Sequence, residues 1–110
     1  MVNSRQKGKR FELQISHILQ EKGFDARRGV QYSGINGDAD VVGLPGIHIE
    51  AKAVENLNLY KAYEQSCRDA REGEVPVVIH KKNRKPILVT LALEDWLDEE
   101  KGRRHLLKKE

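Results

Sequence analysis

The stretch that decides the fold runs from residue 37 to residue 52 and reads Gly-Asp-Ala-Asp-Val-Val-Gly-Leu-Pro-Gly-Ile-His-Ile-Glu-Ala-Lys. Two apolar segments, 39–42 and 47–52, flank the loop 43–46, whose length and glycines are typical of a β-hairpin. Because side chains alternate between the two faces of a strand, residues 48, 50 and 52 share one face of the second segment. We therefore predict two adjacent strands, the second of which carries His48, Glu50 and Lys52 on one side.

Apolar periodicity on both sides of this hairpin predicts the remaining elements. A helix from Ser4 to about residue 22 precedes a short strand at 24–30 and a turn-rich loop at 32–37. After the hairpin we expect a helix from Leu59 to near Gly73, strands at 77–79 and 87–89, and a closing helix at 91–100. The order α-β-β-β-α-β-β-α is typical of an α/β domain with a mixed sheet flanked by helices.

The helical stripes also predict which side chains are buried. Glu12 lies at the edge of the first stripe and should be only partly solvated, whereas Leu13 points away from the stripe. Each of the three helices contributes to the expected core, with Phe11, Ile15, Ile18 and Leu19 in the first, Leu59, Tyr63, Cys67 and Ala70 in the second, and Trp96 and Leu97 in the third.

Length and composition exclude several classes of protein. The 110 residues suffice for one domain, which we expect to span 1–110 with flexible basic ends at 1–5 and 101–110. No apolar stretch approaches the ~20 residues that span a bilayer, and no signal-peptide segment begins the chain. The single Cys67 excludes an internal disulfide and a cysteine-rich zinc site, which favours a reducing, cytoplasmic compartment.

Basic residues are clustered although the net charge is only +3. Residues 1–10 carry four bases and no acid, and residues 81–85 read Lys-Lys-Asn-Arg-Lys. Clusters of this kind can neutralise phosphates, so the sequence favours a polyanionic partner. The basic tail is more simply interpreted as solvated surface, and the 81–85 cluster is compatible with either DNA contact or a solvated turn. The expected phosphate-contacting residues are Arg5, Lys7, Lys9, Arg10, Lys81, Lys82, Arg84 and Lys85.

The charged residues of the hairpin indicate metal-assisted chemistry. Glu50 and Lys52 lie two positions apart in an apolar strand, which is costly if that face is buried. A structural ion pair could reconcile them, but a metal held by Glu50 with Lys52 beside an attacking water is the better explanation. The hairpin returns the chain so that Asp40 can lie close to Glu50, and two carboxylates with phosphate oxygens and waters commonly hold Mg²⁺. Hydrolysis of a phosphodiester needs this Lewis acid and a nearby cation.

These residues resemble the signature of the PD-(D/E)xK nuclease superfamily. The signature is carried by Glu12, Asp40 and the tripeptide Glu50-Ala51-Lys52. Within the superfamily, the sequence is most similar to the archaeal-type Holliday junction resolvases and their phage and bacterial relatives. This resemblance covers residues 5–91 and rests on Arg10-Phe11-Glu12, Lys22-Gly23-Phe24, Arg28, Ser33-Gly34, Ala39-Asp40 and Ile49-Glu50-Ala51-Lys52 in that order. Ala39 departs from the pattern, since proline commonly precedes the aspartate in the family.

The resemblance implies a restriction-endonuclease-like core and a Mg²⁺-dependent DNA endonuclease in which Mn²⁺ can substitute. It implies that Asp40 and Glu50 bind the metal, that Glu12 completes the site, and that Lys52 orients the water or stabilises the pentacovalent phosphorus. Arg28 and Ser33 would lie on a loop that touches the scissile backbone. A resolvase also implies four-way DNA junctions as substrate, and a homodimer, because two opposed strands must be nicked.

Alternatives remain for the chain and for single residues. The chain could be another PD-(D/E)xK nuclease, of restriction or repair type, or a basic DNA-binding module with a degenerate site. Glu12 could be a surface residue near Arg5 or Lys9, and His48 could be purely structural. Asp38 could be an extra ligand or a cap, and Gln65 could reach the site from the second helix.

Overall fold

The computed structural model describes residues 4–30 and 39–109 of the chain. In these two stretches the elements are α1 (Ser4–Glu21), β1 (Arg27–Arg28), β2 (Val41–Val42), β3 (Ile47–Lys52), α2 (Leu59–Asp69), β4 (Val75–His80), β5 (Leu88–Thr90) and α3 (Leu93–Lys109). The order α-β-β-β-α-β-β-α predicted from the sequence is confirmed.

The strands of the described residues form one mixed sheet in the order β1-β2-β3-β4-β5. β3 lies in the middle, antiparallel to β2 and parallel to β4, with Ile47 opposite Val75 and Lys52 opposite His80. Parallel neighbours need a crossover, and α2 supplies it between β3 and β4. The strand that carries Glu50 is therefore flanked on both edges by other strands.

Helices cover both faces of the sheet centre. On one face, Phe11 and Ile15 of α1 pack against Val41, Ile49 and Val77, all buried. On the other face, α2 buries Ala62 and Ser66. The hydroxyl of Ser66 donates to the carbonyl oxygens of Val77 (3.0 Å) and His48 (3.4 Å), which fastens α2 to β3 and β4.

The buried face of α2 differs from the predicted stripe. Cys67, expected in the core, is exposed, and the residues that face the sheet are the smaller Ala62 and Ser66. Small side chains let the helix approach the strands closely enough for Ser66 to bond their carbonyl groups. In α1, Ile18 was likewise predicted to be buried and is 40% exposed.

The first and last parts of the chain also depart from the prediction. The strand expected at 24–30 is reduced to Arg27–Arg28, where the chain pairs with β2. α3 extends beyond Glu100 to Lys109, and Trp96 and Leu97, expected to face inward, are 52% and 48% exposed. Of the helices within 4–30 and 39–109, none has both the length and the apolar composition needed to cross a membrane.

The hairpin between β2 and β3 depends on one glycine. Gly43 has φ of 104°, in the region that residues with a Cβ avoid. A Cβ at this position would also collide with the carbonyl oxygen of Asp25. The close approach of Gly43 to the segment before β1 thus fixes the turn that brings Asp40 back beside β3.

Candidate active site

Asp40 and Glu50 are held side by side by backbone hydrogen bonds. Asp40 directly precedes β2, and its N–H donates to the carbonyl oxygen of Ile49 at 2.9 Å. Its Oδ2 accepts from the N–H of Ala51 at 2.8 Å. These two bonds straddle Glu50, which is buried at the centre of the sheet with 4% exposure. The hairpin thus brings together the two carboxylates that the sequence predicted to share a site.

The carboxylate pair is electrostatically unfavourable on its own. Burial raises the pKa of Asp40 from 3.8 to about 7, and the neighbouring charge of Glu50 adds to the rise. The hydrogen bond from Ala51 opposes it, and the charge of Glu12 contributes a smaller increase. A divalent cation would relieve this repulsion, and carboxylate oxygens are the donors that Mg²⁺ and Mn²⁺ prefer. The residues present therefore fit a hard divalent cation.

Glu12 lies close to this pair, and its ion-pair partner comes from another element. Its side chain is 18% exposed, and Oε1 accepts from Nε of Arg28 at 3.0 Å. The sequence left open the alternative that Glu12 is a surface residue near Arg5 or Lys9 of the same helix. Arg28 reaches Glu12 because β1 pairs with β2 next to Asp40, with Arg28 opposite Val41. Arg28, expected to touch DNA, is thus ion-paired to a candidate metal ligand.

Lys52 ends β3 two residues after Glu50 and is partly buried. In the strand pairing it lies opposite His80. Among the residues that the structure describes, no salt bridge joins Lys52 to Glu50. The described residues therefore do not require Lys52 as a structural ion-pair partner of Glu50.

A second group of polar residues lies at the beginning of β3. His48 Nε2 lies 3.1 Å from Oε1 of Glu50, and Nδ1 lies 3.7 Å from Oε1 of Glu74. Ligand atoms of His48, Glu50 and Asp69 lie within 4.8 Å of one another. The hydrogen bond with Glu50 raises the pKa of His48 against the opposing effect of burial, and the charges of Glu50, Glu74 and Asp69 raise it further.

Asp69 and Glu74 were not singled out from the sequence. A signal for them exists in the topology, because a β-α-β crossover returns the chain to the beginning of the first strand. Asp69 at the end of α2 and Glu74 before β4 therefore meet His48 at the beginning of β3. Gln65, suggested as a site residue, is partly buried on α2 and forms no hydrogen bond with Glu50 within the described residues.

The basic residues far apart in sequence converge on one groove of about 360 Å³. Lys7 and Arg10 of α1 line one side of it, and Lys81 and Asn83 from the turn after β4 line the other. The turn is held by the N–H of Asn83, which donates to Oε2 of Glu55 at 2.7 Å. The other predicted phosphate contacts lie exposed on the same two elements, namely Arg5, Lys9, Lys82, Arg84 and Lys85. Ser33 and Asp38 lie outside the described residues.

Comparison with known proteins identifies the class of protein to which the chain belongs. Proteins that join this mixed sheet to this arrangement of carboxylates and lysine are PD-(D/E)xK nucleases, and the chain is a nuclease of that type. Residues 3–108 match the family model described as "Phage putative PDDEXK endonuclease", and the chain belongs to this family.

A solved structure extends the likeness to a resolvase. Hjc, a Holliday junction resolvase from the hyperthermophilic archaeon Archaeoglobus fulgidus, shares 28% sequence identity with this chain at a TM-score of 0.58. The superposition covers 77% of this chain and 72% of the Hjc chain. A search of curated proteins gave no match. The restriction-endonuclease-like fold implied by the sequence resemblance is thereby confirmed.

Proposed function

We propose that this chain is a Mg²⁺-dependent, structure-selective DNA endonuclease, a Holliday junction resolvase that makes paired nicks in four-way junctions. The observation that carries the proposal is the pair formed by Asp40 and the buried Glu50, in which burial first and the charge of Glu50 second raise the pKa of Asp40 to about 7. Two neighbouring carboxylates destabilise each other when both are ionised, and a cation between them offsets that cost. The likeness to Hjc supports the junction as substrate.

Each residue of the site has a distinct task in this proposal. Asp40 and Glu50 hold the cation, and Glu12 completes its surroundings directly or through water. When bound, the cation supplies Lewis acidity and lowers the pKa of a water molecule at the scissile phosphate. Lys52 orients that water or stabilises the negative charge that develops on the phosphate. The products would be a 5′-phosphate and a 3′-hydroxyl, and Mn²⁺ would substitute for Mg²⁺.

The basic groove supports DNA as the partner. Three positive charges surround one concave surface, those of Lys7, Arg10 and Lys81. In this proposal they contact the phosphate backbone of the DNA from both sides of the groove. Charges on flexible side chains bind phosphates without reading bases. We therefore propose recognition of DNA by shape and backbone, with Arg5, Lys9, Arg28, Ser33, Lys82, Arg84 and Lys85 as further contacts.

A homodimer would supply the two active sites that paired nicking requires. The exposed apolar residues near the end of the chain support this proposal: Leu88 and Val89 of β5, and Leu93, Trp96 and Leu97 of α3, are 48–68% exposed. β5 is also an edge of the sheet as far as the chain is described. An apolar surface beside an open strand edge is a common place for two copies to meet.

We further propose that residues 1–110 act as a single nuclease domain and that the protein works inside the cell. The described residues share one sheet and one apolar core cluster, which supports the first point. DNA as substrate and a single exposed cysteine support the second.

A cleavage assay with three substrates tests the proposal. Four-way junction, linear duplex and single strand are incubated with the protein in Mg²⁺, Mn²⁺ or EDTA, together with Asp40→Asn and, as matched control, Asp98→Asn on the exposed surface of α3. We expect paired nicks in the junction with either metal, none with EDTA or Asp40→Asn, and normal cleavage by Asp98→Asn.

Two other outcomes would replace the proposal. Equal cleavage of duplex and junction would identify another PD-(D/E)xK nuclease, of restriction or repair type. Binding of DNA without cleavage under every condition would identify a degenerate DNA-binding module.

A further inference from the structure

His48 lies two residues before Glu50 in β3, and the side chains of the two residues are in contact. The two residues share one face of β3, and Nε2 of His48 is 3.1 Å from Oε1 of Glu50. Both are almost completely buried, at 3% and 4% exposure. An ionised carboxylate can only accept hydrogen bonds, so the imidazole is the donor in this contact.

The position of His48 is itself fixed by groups from other elements. Its carbonyl oxygen accepts from the hydroxyl of the fully buried Ser66 on α2 at 3.4 Å. Oε1 of Glu74 lies 3.7 Å from Nδ1, the ring nitrogen that does not contact Glu50. Asp69 lies within the same group of close ligand atoms. Each ring nitrogen therefore lies near a carboxylate, and turning the ring would break the hydrogen bond with Glu50.

A fixed donor matters because a carboxylate can rotate. Glu50 has three side-chain torsions before its oxygens, and Asp40 has two. Asp40 is held by the N–H of Ala51 at 2.8 Å, and Glu50 has its comparable restraint in His48. With Oε1 engaged, Oε2 is the oxygen left for a cation shared with Asp40. Residues that orient metal ligands in this way set the affinity of a site although they do not touch the metal.

We propose that His48 is a positioning residue that holds Oε1 of Glu50 and thereby presents the other carboxylate oxygen to the divalent cation. This inference rests on the proposed function, because it assumes that Glu50 binds that cation. The hydrogen bond from the ring orients the carboxylate of Glu50, and Asp69 and Glu74 help to keep the ring in place.

Binding of Mn²⁺ to the full-length, metal-free protein gives a readout that does not depend on cleavage. The dissociation constant is measured by calorimetry for the wild type, His48→Leu and His48→Gln. The amide of glutamine can reach Oε1 of Glu50 as Nε2 of histidine does, whereas leucine fills the space without a donor. The matched control is His17→Leu, the same change at an exposed position of α1.

The expected pattern separates the hydrogen bond from packing. Loss of an orienting group weakens metal affinity by about tenfold to a hundredfold, so His48→Leu should weaken Mn²⁺ binding by that factor. His48→Gln and His17→Leu should bind Mn²⁺ as the wild type does. In cleavage assays, His48→Leu should need more Mg²⁺ to reach half of its maximal rate, and the rate at saturating Mg²⁺ should largely recover.

A further variant keeps the test decisive if His48→Leu fails to fold. His48→Asn is polar, but its amide is one methylene too short to reach Glu50, so it should bind Mn²⁺ more weakly than His48→Gln at equal thermal stability. Equal affinity of the Gln and Asn variants would overturn the inference. So would wild-type affinity in a folded His48→Leu, or equal losses in Gln and Leu, which would indicate direct ligation by the ring. Absence of Mn²⁺ binding in the wild type would overturn the proposed metal site and this inference together.

Discussion

Replacing Asp40 by asparagine should make the metal-free protein more stable while it abolishes cleavage. The amide keeps an oxygen that can accept from the N–H of Ala51, so the bond that places residue 40 is retained. The negative charge that repels Glu50 is removed. Binding of a four-way junction should remain nearly unchanged, since the basic residues supply most of the affinity for phosphate.

The size of the effect follows from the pKa of Asp40. A rise from 3.8 to about 7 is a shift of about three units, and at 1.36 kcal/mol per unit the ionised carboxylate costs the fold up to about 4 kcal/mol. Asp40 is partly exposed, so solvent screens part of this cost, and we expect about half of it, roughly 2 kcal/mol, to be recovered by Asp40→Asn. For a domain of this size that corresponds to a rise in Tm of about 10 °C.

The stability of the metal-free protein should fall as the pH rises. Because the pKa of Asp40 is raised by folding, the folded protein holds this proton more tightly than the unfolded chain does. The stability that the folded protein owes to this proton on Asp40 is present in full below about pH 4. It is lost as the pH rises to about 7. The metal-free wild type should therefore lose stability between pH 5 and pH 7 relative to Asp40→Asn, by an amount that levels off at about pH 8.

Thermal denaturation followed by circular dichroism in EDTA, from about pH 5 to pH 8.5, measures this difference. Adding Mg²⁺ at high pH should raise the Tm of the wild type and leave Asp40→Asn unchanged, because only the wild type binds the cation. Asp98→Asn, a change of the same kind at an exposed site, should follow the wild type in both respects. Parallel pH curves for Asp40→Asn and the wild type, or equal stabilisation of both by Mg²⁺, would refute the reasoning.

Four further predictions concern other parts of the molecule. Lys52→Ala should lower the single-turnover cleavage rate by at least about a hundredfold with little change in DNA affinity, and a change in affinity alone would make Lys52 a phosphate anchor. Lys81→Ala should reduce the slope of log affinity against log salt by about 0.9 for any DNA sequence, and an unchanged slope would remove the groove from the interface. Gly43→Ala should lower the free energy of unfolding in urea by about 1–3 kcal/mol, whereas Gly102→Ala, in open space on α3, should not. Trp96→Asp should convert a dimer to a monomer in light scattering at micromolar concentration, and a dimer that survives this change must form elsewhere.

Most of the fold could be predicted because its signals are local. The alternation in Ile47–Lys52 identifies β3 with its observed bounds, and helical periodicity identifies α1 to within one residue of its end. The glycines of the hairpin predict that Asp40 returns towards Glu50. These features depend on residues that are close together in the chain, so a single sequence contains the information needed to predict them.

The errors lie where distant contacts decide the outcome. A stripe of apolar residues identifies a helix face but not whether another element covers it, and so Trp96 and Leu97 are half-exposed despite their spacing. The apolar stripe of the second helix predicts Cys67 in the core, whereas Ser66 lies there and its hydroxyl donates to two strand carbonyl groups. The bond between Arg28 and Glu12 depends on the register of β1 against β2, which no local pattern specifies.

The central place of β3 has a consequence for how the molecule opens. Amide hydrogens of Ile49 and its neighbours lie between two strands and beneath two helices, so we expect them to exchange with solvent only when the whole domain unfolds. The beginning of α1 and the turn that carries Lys81 are peripheral and exposed, and should exchange through small local openings. Such local openings would change the shape of the basic groove without unfolding the domain. They would leave in place the two hydrogen bonds that join Asp40 to Ile49 and Ala51 on either side of Glu50.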